Sequence, residues 1–292
     1  MVRALNEVRV DSIVLKGPVL GRTLYDRDEL RAYVDSDLLV AAHNSEVASS
    51  TLAAIGFRPE PADLLPGDPP LYARSWRRDG AIVELHDTLV GAGVSPGELW
   101  AVLVTRTEPM ELRGSEIAVL DEPARALHVA LHAAQHGMAW GRPLEDLRRA
   151  LERIPEASWQ RAAALADRLA AAEAFAAGLR LRSEGRVLAA RLGLSEVASV
   201  EVALRAASAP AAAKGFERFT RIPGAHRKAL LLIHKLFPAP AFMRAWSPLA
   251  RRGRLGLATA YAWRPLWLVG KLASGLRAWA GVRRSAGKSP RP

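Results

Sequence analysis

Apolar and polar positions divide the chain into a first part patterned for strands and a long remainder patterned for helices. Residues 11–17, Asp-Ser-Ile-Val-Leu-Lys-Gly, form a short apolar run that ends at a Gly-Pro turn, and 18–33 leave room for a helix. Residues 34–41 predict a second strand. The helix after it can be capped by Asn44 or Ser45, runs to about Ile55 and stops at Gly56. The Pro-, Gly- and Asp-rich stretch 59–70 predicts a loop. Runs near 71–78 and 81–87 then predict a hairpin around Asp79-Gly80, a dipeptide that supplies the positive φ of a tight turn. After weak strand or loop at 98–120, Ala, Leu and Arg recur at helical spacing from Pro123 through Ala206, with breaks near 141–143, 154–155 and 184–185. The expected class is therefore α+β. A small mixed-sheet domain occupies 1–120, an all-α domain 121–245, and a basic Trp- and Arg-rich tail 246–292, of which 282–292 are expected to be disordered.

Polar residues interrupt the apolar pattern most sharply in the second strand. Asp35 and Asp37 lie two apart, so they project from one face while Leu38, Leu39 and Val40 anchor the strand. A later strand contributes Glu84, set between Val83 and Leu85. Three hard oxygen ligands suit Mg²⁺, which keeps open positions for water and substrate phosphate. Two like charges on one face repel unless a cation or an arginine compensates them, and Arg31 is the candidate. The alternative is a solvated rim at a strand end.

These residues resemble a known family, the bacterial nucleotidyltransferases of the DNA polymerase beta-like superfamily. The resemblance rests on Leu15-Lys16-Gly17, on the segment from Arg31 through Asp35 and Asp37 to Val40, and on Glu84-Leu85-His86. Three positions depart from the usual pattern: Pro18 follows the turn glycine, Ser36 stands where an apolar residue is usual, and Gly17 lies further from Asp35 than is typical. The similarity continues in 126–137, which resemble the His-rich helix that follows the catalytic domain in this family. His128, His132 and His136 fall on one helical stripe at a spacing compatible with metal ligation. Zinc is the weaker reading, because Ala133, Ala134 and Gln135 supply none of the glutamate that accompanies a His-x-x-x-His protease helix. The stripe is expected to pack on the sheet and offer one or two histidines to substrate phosphate.

Composition adds limits. There is no cysteine, which excludes a disulfide framework, a thiolate nucleophile and a Cys-ligated zinc. Charges through residues 1–11 occupy the region where a signal peptide needs an apolar run, so secretion is not expected. The net charge of +11 is unevenly placed: from Arg218 onward there are 16 Lys and Arg and no Asp or Glu. Such a segment can hold phosphate backbones or anionic lipid headgroups, or can simply be a set of solvated Arg-rich helices. Within it, 255–279 mix Trp, Leu and Arg as interfacial helices do, while Arg264 and Pro265 interrupt the apolar run short of a membrane span. Tryptophans that close a helical core are the competing expectation. In 143–147 the acids fall in a first helical turn, so Asp146 is expected to be structural.

The resemblance implies transfer of a nucleoside monophosphate from an NTP to an acceptor, without a covalent enzyme intermediate. It implies Asp35, Asp37 and Glu84 as catalytic and metal-holding residues for Mg²⁺ or Mn²⁺. It also implies Lys16, Gly17, Arg31, His86 and His132 as nucleotide-binding candidates. Two other classes stay open: an inactive NTP-binding module, and a basic adaptor on membrane or nucleic acid. Residence is expected in the cytoplasm, with a peripheral position at the inner membrane face suggested by the basic tail.

Overall fold

The computed structural model describes residues 1–60 and 72–286. Most of the loop expected at 59–70 and the last six residues of the tail lie outside them. In chain order the first elements are α1 (Val2–Glu7), β1 (Ser12–Val14), α2 (Pro18–Leu24), β2 (Asp35–Val40), α3 (Ser45–Ala54), β3 (Arg58–Pro59), β4 (Ala73–Arg78), β5 (Ala81–His86), α4 (Pro96–Leu103), β6 (Thr107–Leu112) and β7 (Ser115–Leu120). Helices follow: α5 (Glu122–His136), α6 (Gly141–Arg153), α7 (Glu156–Arg168), α8 (Ala172–Leu179), α9 (Ser183–Arg191), α10 (Val200–Ala206), α11 (Ala211–Arg221), α12 (Ala225–Leu236), α13 (Pro240–Trp246) and α14 (Gly253–Ala286). The expected α+β arrangement is present. Residues 1–60 and 72–208 form one compact unit and 209–286 belong to a second.

The strands form a mixed seven-stranded sheet in the order β3-β4-β5-β2-β1-β7-β6. β1 is antiparallel to β2 and parallel to β7, and β2 is parallel to β5 with Asp37 opposite Glu84. Both faces of the centre are covered, which is why its strands read as near-continuous apolar runs. Val14, Leu38, Val40, Val83 and Leu85 pack on one side with Leu52 of α3 and Leu5 of α1. Ile13, Leu15 and Leu39 face the other side, in a cluster with Leu127 and Leu131 of α5, Trp159 of α7 and Phe175 of α8. The hairpin expected around Asp79-Gly80 is formed by β4 and β5, with φ of 48° and 82° at those two residues.

Residues 98–120 are more ordered than their weak pattern predicts. Ser95 and Glu98 make a capping box that starts α4, and β6 and β7 pair as a hairpin through Arg113-Gly114. Pro109 hides the β6 signal, and the position tolerates it because β6 is an edge strand. The helical break expected at 184–185 falls earlier, since both residues lie within α9. Helix α14 also continues through 282–286, a stretch expected to be disordered, and Pro265 is accommodated inside it.

In the second unit Arg264 is buried, its guanidinium 5.0 Å from the rings of both Phe242 and Trp246, and its Nε donates to the Lys235 carbonyl at 2.8 Å. Trp279 donates its indole N–H to Glu217 Oε2 at 2.9 Å. Some tryptophans therefore do close a helical core, whereas Trp263 and Trp267 are exposed. No helix among the described residues is long and apolar enough to cross a membrane.

The packing of α8 on α5 requires a missing side chain. A Cβ on Gly178 would stand 2.0 Å from the Ala130 carbonyl oxygen, a backbone atom in the middle of a packed helix. Alanine gains about 1 kcal/mol in helix propensity, but overpacking a core costs about 1–3 kcal/mol and here meets backbone that cannot rotate away. We expect Gly178→Ala to lower the stability of the chain by about 2 kcal/mol, read from urea denaturation midpoints. Unchanged or raised stability would show that the two helices can move apart at little cost.

Candidate functional site

The polar site begins where the α5-facing side of the sheet runs out of apolar residues. Along β2 that face carries Leu39, then Asp37, then Asp35; on the parallel neighbour β5 it carries His86 and Glu84. Lys16 follows the end of β1. Asp37 has no solvent exposure, so its charge must be met by protein groups. Its Oδ1 accepts from Lys16 Nζ at 2.9 Å and contacts His86 Nε2 at 3.0 Å. The same His86 nitrogen is 3.5 Å from Glu84 Oε2. Asp37 Oδ2 is buried and has no hydrogen-bond partner.

Charge organises the titration of these groups. Burial opposes the Asp37 carboxylate, but the His86 hydrogen bond and the Lys16 charge hold its carboxyl at about 2. Burial would lower the Lys16 ammonium, yet Asp37, with Asp35 and Glu84 behind it, keeps it above the ordinary lysine value. Burial likewise opposes a charged His86, and hydrogen bonds to Asp37 and Glu84 raise it. Asp35 goes the other way: burial and the negative charge of Asp37 push it up.

Arg31 lies elsewhere than beside the acid pair. Its Nε and Nη2 donate to the two oxygens of Asp146 at 2.7 and 2.6 Å, and Nη1 donates to the Gly17 carbonyl at 3.2 Å. The Tyr25 hydroxyl donates to Asp146 Oδ1 at 2.8 Å, and burial together with that bond pushes the phenol up to about 12. Asp146 is thus structural through these bonds and not through the helix dipole, because α6 starts at Gly141 and leaves Asp146 beyond the first turn expected for it. Gly17 has φ of 70° and precedes α2; a Cβ there would sit 3.4 Å from the Asp35 carbonyl oxygen. Arg31 therefore ties the Gly17 turn to α6, and Lys16 is the cation that meets Asp37.

The histidine stripe of α5 packs toward the sheet. Neighbouring imidazoles touch, with ring centroids 6.2 Å apart for His128 and His132 and 4.6 Å for His132 and His136. His132 Nε2 is 3.4 Å from Lys16 Nζ. Burial, followed by the charge of Lys16, depresses His128 to about 3 and lowers His132 well below the ordinary histidine range. Two of these imidazoles are therefore neutral at physiological pH.

A cavity of about 180 Å³ opens between the sheet and α5, lined at one end by Asp35, Glu84, His86 and Lys16 and at the other by His136 and Trp140. Ligand atoms of Asp37, Glu84 and His86 all lie within 4.8 Å of one another. The orphaned Oδ2 of Asp37 and this donor set fit a divalent cation. Of the residues singled out in the sequence, Lys16, Asp35, Glu84, His86 and His132 line the cavity, Asp37 lies buried behind Lys16 and His86, and Gly17 and Arg31 support the adjoining turn. Sequence reasoning missed Tyr72, Gln135 and Trp140, which line the same cavity. Trp140 could have been found from its spacing, four residues after His136 at the end of the histidine stripe.

Residues 1–184 match the model of a protein family described as uncharacterised nucleotidyltransferase. None of the curated protein sequences matches the chain. Among solved structures, the solution structure of the antibiotic-resistance factor ANT(2'')-Ia is similar over 58% of this chain and 89% of its own, at 13% identity and a TM-score of 0.40. The lincomycin-bound lincosamide antibiotic adenylyltransferase LnuA is similar over 51% of this chain and 90% of its own, at 12% identity and a TM-score of 0.35.

Two outcomes follow from the buried groups. Arg31→Met or Asp146→Leu alone strands a buried charge and should cost about 3–5 kcal/mol, whereas the double replacement should cost clearly less than the sum of the singles. Additive losses in urea denaturation would mean that the pair is not energetically linked. The depressed His128 makes stability pH-dependent. Because an unfolded histidine takes its proton near pH 6.5 and folded His128 near 3, stability is complete above about 6.5 and falls by up to about 1.4 kcal/mol per unit as pH drops toward 3. His128→Leu should flatten that slope in denaturation midpoints measured across the window; an unchanged slope would place the titration elsewhere.

Proposed function

The chain belongs to the family of nucleotidyltransferases matched over residues 1–184, and on that premise we propose that it moves a nucleoside monophosphate from an NTP to an acceptor in a metal-dependent reaction. One observation carries the proposal: Asp37 is fully buried with an oxygen that has no hydrogen-bond partner, directly behind Lys16 and His86, which with Asp35 and Glu84 line a cavity of about 180 Å³. A divalent cation held by Asp35, Asp37 and Glu84, Mg²⁺ or Mn²⁺, would supply Lewis-acid stabilisation of the phosphate charge.

The chain's own groups divide the remaining work. Lys16 is 14% exposed at the cavity edge, where its ammonium can meet the charge that develops on the triphosphate oxygens. Arg31 holds the Gly17 turn beside the Asp35 backbone and so helps to fix Lys16 at the cavity edge. His86 orients Asp37 and Glu84 through one nitrogen. In the reaction the acceptor oxygen attacks the α-phosphorus, the bond from that phosphorus to the bridging oxygen breaks, and diphosphate leaves. The acceptor's proton passes to Glu84, which stands at the cavity wall. The neutral His132 adds a hydrogen-bonding group next to Lys16 without adding charge.

A second reading, NTP binding without turnover, is favoured by the fact that Lys16 and His86 already occupy Asp37 Oδ1. The same experiment separates the two. Wild type and Asp37→Asn are titrated with each NTP and Mg²⁺ or Mn²⁺, then assayed for diphosphate release over a panel of acceptor alcohols and phosphates. Loss of a ligand charge worth several kcal/mol should lower turnover about 10³-fold and weaken metal-dependent binding, with circular dichroism unchanged. Binding by wild type with no diphosphate release from any acceptor supports the second reading, and near-wild-type turnover in Asp37→Asn would refute the metal site.

A further inference from the structure

Nucleotidyl transfer in the first unit gives no reason for the composition of the second. From Arg218 to the end there are 16 Lys and Arg and no acid, yet this is also where large apolar side chains face water. On α14, Leu255, Ala262, Leu266, Val269, Ala273 and Leu276 recur at helical steps along one side. Leu255 is 85% exposed, Leu266 65%, Val269 63% and Leu276 45%. The other side of the helix is accounted for inside the unit, through buried Ala260 and Arg264. Trp263 and Trp267 are exposed beside the stripe, α12 exposes Leu230, Leu232 and Ile233, and Phe237 is exposed just after it. Scattered apolar residues on a surface need no explanation, but a continuous stripe over six helical turns does.

Charge selects the occupant. The spacing of the stripe would also suit a second copy of the helix, but pairing two copies sets one acid-free cationic segment against another, with no carboxylate from 218 onward to bridge them. Nucleic acid would answer the charge but would leave Leu255, Leu266, Val269 and Leu276 in water. The interface of an anionic bilayer answers both, because aliphatic and indole groups enter the headgroup boundary while Arg and Lys meet lipid phosphates. Arg254 and Arg277 are exposed on the same helix, at the flank and edge of the stripe, and long enough to reach those phosphates. A spanning segment is not required, since no described helix is apolar enough to cross.

We propose that the 209–286 unit docks on the surface of an anionic membrane, laying the α14 stripe into the lipid interface while its cations contact phosphate headgroups. Docking of this kind is peripheral and reversible. It depends on salt through the cations and on the stripe at any salt.

The test uses the full chain and cosedimentation with phosphatidylcholine vesicles, with and without phosphatidylglycerol, at low and raised NaCl. One variant carries Leu255→Gln, Leu266→Gln and Val269→Gln; a second carries Arg252→Gln, Arg254→Gln and Arg277→Gln. All substituted side chains are exposed, and circular dichroism melting checks the fold. Wild type should partition to phosphatidylglycerol vesicles about tenfold or more over phosphatidylcholine alone. The stripe variant should lose about tenfold at low salt, and the cation variant should lose the preference for the anionic lipid. Failure of folded wild type to bind phosphatidylglycerol vesicles overturns the proposal. So does equal vesicle binding by the stripe variant, or a wild-type dimer in sedimentation equilibrium that the stripe variant dissolves. Tight binding of a single-stranded oligonucleotide that displaces the vesicles and persists in the stripe variant would assign the charge to nucleic acid instead.

Discussion

The burial of Asp37 is the constraint on which the first unit turns. A carboxylate with no exposure in the middle of a sheet can persist only if cations or hydrogen-bond donors are brought to it, and each partner comes from a different element: Lys16 after β1 and His86 at the end of β5. Those two strands flank β2, so the ion cluster fixes the same neighbour order that the hydrogen bonds of the sheet fix. Polar satisfaction on one oxygen is complete and on the other absent. That asymmetry distinguishes the site from an ordinary buried ion pair, in which both oxygens would be engaged as they are in Asp146.

Arg31 and Asp146 form the complementary structure. Their bidentate pair is buried at 4% and 1% exposure, joins the segment before β2 to α6, and catches the Gly17 carbonyl and the Tyr25 hydroxyl on the way. The segment 25–34 has no regular structure of its own between α2 and β2. Its path is held by this side-chain node, which keeps the Gly17 turn beside the Asp35 backbone. Replacing such a pair by apolar groups can be close to neutral, so its value lies more in fixing the turn than in stability.

Much of this was legible in the residues because it depends on local periodicity. The i, i+2 spacing gives Asp35 and Asp37 a common face, Asp79-Gly80 gives the hairpin that delivers Glu84 and His86, and the 128-132-136 spacing gives the imidazole stripe. What could not be read depends on pairing across long separations. Lys16 and Arg31 are both plausible partners for the acids from sequence alone, and only the register of β1 against β2 and the approach of α6 decide between them. The edge hairpin β6–β7 was obscured because Pro109 and the charges around it give a weak alternation that only an edge position tolerates. The Gly185 break failed for a different reason: a glycine that looks like punctuation is a close-packing residue in α9, where a Cβ would stand 2.0 Å from the Leu179 carbonyl oxygen.

The charge balance of the cavity bears on how the site works. Three acidic side chains, Asp35, Asp37 and Glu84, lie around Lys16 and His86, and the crowding of negative charge is felt at Asp35. Burial and its neighbour Asp37 push Asp35 upward, whereas Asp37 is held down by the His86 hydrogen bond and the Lys16 charge. An added positive charge at this end of the cavity would relieve Asp35 first and find Asp37 Oδ2 already stripped of water and partners. His128 and His132 of α5 cannot supply that charge, because burial and Lys16 keep them neutral. Burial thus sets both halves of the arrangement: it concentrates negative charge on the sheet, and it withholds from His128 and His132 on the facing helix the protons that would cancel it.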